Sequence, residues 1–70
     1  MEQKVIEMVK TIAGQESTCF IVWSCYILGN RKYLVGVSGS KEYYEVTYNA
    51  SKKEWYVDLY MKASNTVIKE

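Results

Sequence analysis

The hydrophobic period of this chain changes once, just after residue 13, and that change constrains the fold more than any other feature. Before it, Val5, Met8, Val9 and Ile12 stand at i, i+3, i+4 and i+7, the spacing of one apolar stripe on an α-helix. Ile6 and Ala13 widen the stripe, while Glu2, Gln3, Lys4, Glu7, Lys10 and Thr11 fill the other face. Glu2 suits the positive end of the helix dipole and Lys10 the negative end. Gly14 is well placed to stop the helix, because glycine adopts left-handed backbone without steric cost. The spacing predicts a helix from about residue 2 to residue 13.

After Gly14-Gln15-Glu16 the period falls to two. Residues 17–28 are rich in β-branched and aromatic side chains, as strands are. Their odd positions, Cys19, Ile21, Trp23, Cys25 and Ile27, are uniformly apolar. Gly29-Asn30-Arg31-Lys32 reads as a tight turn, and residues 33–37 as a second strand. Ser38-Gly39-Ser40-Lys41 is a second turn and residues 42–48 a third strand. Asn49-Ala50-Ser51-Lys52-Lys53 is a third turn; its glycosylation-like sequon is read as turn chemistry alone. Residues 54–62 form a fourth strand, alternating Trp55, Val57, Leu59 and Met61 with Glu54, Tyr56, Asp58, Tyr60 and Lys62. Ser64-Asn65 breaks it, and residues 66–69 offer a short fifth strand.

Turns this short favour antiparallel neighbours. The expected fold is therefore α+β. One N-terminal amphipathic helix packs on one face of a four-stranded antiparallel meander, with a fifth strand optional. The helix stripe must bury against that face. The expected core joins Val5, Met8, Val9 and Ile12 to Ile21, Trp23, Cys25, Val35, Val37, Val46, Val57 and Leu59. Residues 1–70 make a single domain, without repeats or linkers.

Size makes such a domain marginal. At 70 residues it buries only about 60% of the surface its unfolded chain exposes. It needs a staple, a dense core or a partner. The chain is 49% hydrophobic and 14% aromatic, too apolar for disorder, so a dense core and a partner are favoured. Nine basic against eight acidic residues leave a net charge of +1. That lacks the excess of a strongly basic nucleic-acid binder. Cys19 and Cys25 would lie on one face of one strand, roughly 20 Å apart. A disulfide needs Cα atoms within about 7 Å, so they read as free, buried thiols of a reducing compartment. The polar start of the chain is unlike a signal peptide. The longest near-apolar run, residues 18–28, is too short to span a bilayer as a helix. The expected location is cytoplasmic, with no membrane partner.

One helix covers one face of the sheet. The other face should carry Phe20, Val22, Tyr26, Leu28, Leu34, Tyr43, Tyr56 and Tyr60. A solvated face is normally polar, and contiguous apolar patches of this kind mark binding sites. Tyrosine is common at interface hot spots, although it also fits any pleated surface. In a meander the first and third turns share one end of the sheet. Arg31, Lys32, Lys52 and Lys53 would then form a basic rim beside the aromatic face. Stacking surfaces next to cations are the ingredients of a single-stranded nucleic-acid platform.

Catalytic chemistry is poorly provided for. Histidine is absent, which removes imidazole acid–base catalysis and histidine-containing metal sites. The glycines match no phosphate-binding fingerprint. Glu45 and Asp58 fall on the open sheet face rather than in a pocket. No enzyme activity, cofactor or metal is expected.

The stretches Tyr43-Tyr44-Glu45-Val46-Thr47-Tyr48, Trp55-Tyr56-Val57-Asp58-Leu59 and Ala63-Ser64-Asn65-Thr66-Val67-Ile68 resemble the PepSY family in rhythm. The resemblance covers roughly half the chain. It implies a helix, a tyrosine-glutamate-valine strand, a hairpin, and a closing turn before a short valine-isoleucine strand. The glycine usual in that closing turn is missing here. The resemblance also implies a module that binds or inhibits protein partners such as peptidases. Together these readings predict a small non-catalytic protein-binding module, an inhibitor or regulator among its roles. It would use the helix-free aromatic face and self-associate as a homodimer. The alternative is a weak single-stranded nucleic-acid binder using the same face and the basic rim.

Overall fold

The computed structural model describes residues 2–69. Helix α1 runs Glu2–Ala13, followed by strands β1 (Cys19–Ile27), β2 (Asn30–Val37), β3 (Glu42–Asn49) and β4 (Glu54–Met61). The strands form one antiparallel sheet in the order β1-β2-β3-β4. The fold is α+β: one helix against one face of a four-stranded meander.

The helix ends as its sequence predicts. The Gly14 amide donates to the Lys10 carbonyl at 2.8 Å, with Gly14 at φ 119°. Ser17 then closes the exit: its hydroxyl donates to the Ala13 carbonyl at 3.2 Å, and its amide donates to the Gly14 carbonyl at 3.0 Å. At the other end, the Lys4 ammonium lies 5.8 Å from the Trp55 ring centroid.

Val5 and Val9 are fully buried against Tyr33, Val35, Tyr44 and Val46. Ile6, Ala13, Cys19, Ile21, Val37, Trp55 and Val57 pack around them. Tyr33 and Tyr44 are core residues that the expected set lacked. The helix lies over β1 and β2. The far end of β4 on the same face therefore stays uncovered: Leu59 and Met61 are exposed, and so is Ile12 on the helix. Leu59 and Ile12 were expected inside.

Strand β1 departs most from expectation. Ile21 pairs with Val35, but Trp23 pairs with Leu34, so Val22 is an extra residue in a β-bulge. A bulge resets which face each later side chain takes. Trp23 and Cys25, expected in the core, pair with Leu34 and Lys32 and stand on the helix-free face. Tyr26, expected there, pairs with Arg31 and stands on the helix side. The two cysteines consequently lie on opposite faces; both are free and partly buried.

The first turn is shorter than predicted. Only Leu28 and Gly29 connect β1 to β2, with φ 49° and 81°. Positive φ at both central residues is the type I′ pattern, whose twist matches that of the strands it joins. Arg31 and Lys32 belong to β2. Leu28 sits on the turn, 97% exposed, rather than on a sheet face. The third turn forms as expected: the Asn49 side-chain oxygen accepts from the Ser51 hydroxyl at 2.9 Å and the Lys52 amide at 3.2 Å. Residues 62–69 follow β4 without forming a fifth strand.

Candidate protein-binding face

The helix-free face is built by the side chains that alternate away from Val35 and Val46. Strand β1 contributes Phe20, Trp23, Cys25 and Ile27; β2 contributes Lys32, Leu34 and Gly36. Strand β3 contributes Tyr43, Glu45 and Thr47, and β4 contributes Tyr56, Asp58 and Tyr60. Of the eight residues expected here, Phe20, Leu34, Tyr43, Tyr56 and Tyr60 are in place. Val22, at the bulge, lines an open hollow of about 680 Å³ with Phe20, Gly36 and Tyr43. Tyr26 and Leu28 lie elsewhere. Trp23, Cys25 and Ile27 join instead, and no residue type in the sequence announces the bulge that brings them.

The aromatics are held, not loose. Phe20 pairs with Gly36 across the strands. A Cβ added at Gly36 would come within 2.7 Å of the Phe20 ring, so the ring lies against bare glycine backbone. Tyr43 and Tyr60 stack at 5.4 Å with an interplanar angle of 15°, a geometry that aromatic pairs favour. The Tyr56 hydroxyl donates to Glu54 Oε2 at 2.7 Å. That hydrogen bond, then partial desolvation, raises the Tyr56 phenol above its ordinary value.

Lys32 and Glu45 pair with each other on this face, while Asp58, opposite Glu45 on β4, is exposed. Lys32 Nζ meets Glu45 Oε1 at 3.1 Å. The bond to Glu45, with its charge second, raises the Lys32 ammonium. A solvent-screened pair of this kind adds little to stability. Its larger consequence is that it cancels the Lys32 charge and leaves Asp58 as the unbalanced charge at the centre of the face. Apolar and aromatic surface surrounds it: Phe20, Val22, Trp23, Ile27, Tyr43, Tyr56 and Tyr60 are each between 38% and 54% exposed.

The four-cation rim does not assemble. Arg31 shares the helix side with Tyr26, its guanidinium 5.6 Å from that ring's centroid. Lys32 is on the opposite face, paired with Glu45. Lys52 and Lys53 alone remain in an exposed turn. Among the described residues, no group of three His, Cys, Asp or Glu side chains is placed to hold a metal ion, and no helix is long and apolar enough to cross a membrane.

No curated protein and no solved structure matches the chain. One family model does, under the description "Family of unknown function (DUF6275)", and it spans residues 1–70. The chain belongs to the DUF6275 family.

Proposed function

We propose that this protein is a small non-catalytic protein-binding module, an inhibitor or regulator in role, that self-associates and presents its helix-free sheet face to a protein partner. One observation carries the reading: that face is apolar and aromatic, and nothing in the described chain covers it. A face meant for water would alternate to polar residues. Here the cation nearest its centre, Lys32, is already paired. Rigid tyrosine, tryptophan and phenylalanine side chains bury large area at little entropic cost, which is why interface hot spots use them. The resemblance in rhythm to PepSY modules points towards the same class.

The test uses Trp23. Replacing Trp55 by Phe leaves Trp23 as the only tryptophan, on the open face. Association then shifts its emission to the blue and shields it from iodide as concentration rises. Unchanged emission from micromolar to millimolar, with the solution mass of one chain, sinks self-association.

A single-stranded nucleic acid is the competing ligand, and the same tryptophan decides it. Arg31 and Lys32 lie on opposite faces, which leaves too little positive charge beside the aromatics to bind phosphates. Oligonucleotide is expected to leave the emission unchanged at low salt. Quenching that fades with salt and disappears in Lys52→Ser/Lys53→Ser would replace the protein-binding reading.

A further inference from the structure

The two edges of the sheet are unlike. Strand β4 carries Glu54 and Asp58. Strand β1, Cys-Phe-Ile-Val-Trp-Ser-Cys-Tyr-Ile, has no charged residue and no proline. Edge strands are ordinarily kept from pairing by charges, prolines or bulges. The bulge at Val22 is the one such device in β1, and it leaves Trp23–Ile27 regular up to the turn. Within that stretch Trp23 and Ile27 are exposed on one face and Tyr26 on the other. A strand apolar on both faces has the pattern of one with neighbours all round it.

Charge selects the neighbour. Pairing β4 with the β4 of a second copy about Asp58 would bring that carboxylate against its own like, and any neighbouring register still places its charge in the seam, which discourages edge pairing. Pairing β1 with β4 is head-to-tail and leaves a free edge at each end, a route to open filaments. Pairing β1 with β1 closes on itself and puts no charge in the seam.

We infer that two copies of the chain pair through β1, antiparallel over Trp23–Ile27 about a two-fold axis at Cys25, to form one continuous sheet. The inference rests on the self-associating reading above and names its surface. In this register Trp23 meets Ile27 of the second copy, an aromatic with β-branched pair of the kind that favours pairing. Ser24 meets Tyr26, and Cys25 meets Cys25. Within the paired stretch Trp23, Tyr26 and Ile27 are 44%, 67% and 54% exposed. A strand pair of this length buries less than the roughly 800 Å² per partner of a standard interface, so it is held by the backbone ladder and by the cross-strand contacts of Trp23 and Ile27. The two open faces become one longer aromatic surface.

Cross-linking tests the register. Cys19→Ser leaves Cys25 as the sole thiol. Diamide takes the two electrons and two protons released when two thiols join. Residues directly opposed in an antiparallel pair have Cα atoms about 4.5 to 5.5 Å apart, within disulfide reach. The expected product is a disulfide dimer from Cys19→Ser and none from Cys25→Ser. A chain with the solution mass of two copies that does not cross-link at Cys25 overturns the proposal. A second pair of variants separates edge from face. Ser24→Lys places a charge on the exposed edge and should weaken the dimer by about tenfold, with the thermal transition still cooperative. Tyr60→Lys, on the same face but on β4 at the opposite edge of the sheet, should leave the dimer intact. The reverse result overturns the edge but keeps self-association through the face. A wild-type chain that is single at every concentration overturns both.

Discussion

Leu28 has φ 49° and is 97% exposed. Left-handed backbone costs a residue with a Cβ about 1–2 kcal/mol, and an exposed leucine regains nothing in packing. Asparagine tolerates this conformation and is the common partner of glycine in such turns. Leu28→Asn is therefore expected to raise the unfolding free energy by about 1 kcal/mol, read as a higher urea midpoint at constant slope. Tyr44 makes the opposite case. It is 2% exposed, and its hydroxyl donates to Glu42 Oε2 at 3.3 Å. Burial first, then the Glu42 charge, raises its phenol above the ordinary 10.0. A raised acid favours its neutral form in the folded chain. The stability it lends is complete below pH 10 and is lost as pH climbs through the folded value. Tyr56 adds to the same trend through Glu54. Urea titrations at neutral pH and above pH 10 should show the loss, and Tyr44→Phe should make it shallower. An equally steep alkaline loss in Tyr44→Phe would mean that another group drives it.

At the scale of elements, the bulge in β1 is the decisive feature. It moves Trp23 out of the core, so truncations should rank against size. Val35→Ala, at a fully buried site, is expected to cost about 2 kcal/mol. Trp23→Ala should cost less despite losing far more atoms, and chemical denaturation compares the two. If Trp23→Ala is the worse, the side chain is packed inside. The helix was legible from its period because a 3.6-residue stripe repeats over three turns. The bulge was not: one inserted residue in a run of apolar side chains leaves both parities apolar, and Val22 carries no mark of it. The Phe20–Gly36 pair was equally hidden, because it depends on register. A double-mutant cycle should expose it. Phe20→Ala should cost about 1 kcal/mol, and Gly36→Ala should be better tolerated once the ring is gone. Additive effects would show that the ring and the glycine do not interact.

The whole molecule is thin and under-buried. Its radius of gyration is 13.6 Å, against about 11 Å for a compact domain of this length. Among the described residues, six apolar side chains are buried while fourteen large ones are exposed. A fold with so little interior gains by sharing surface with a partner. If that partner is a second copy, association stabilises only the folded state, so the melting temperature should rise with protein concentration. Calorimetry over a hundredfold range checks this, and a constant value would indicate a self-sufficient monomer.

Local periodicity alone determined the helix and the strands of the meander to within two or three residues. Those properties are written in neighbouring side chains, and the polypeptide's own geometry reads them. Tertiary structure decided which side of the sheet each β1 residue faces, that Arg31 and Lys32 part company, and that residues 66–69 add no strand. Each of these depends on register between segments distant in sequence. A single bulged residue inverts every face after it, and no local pattern records where the partner strand will place it.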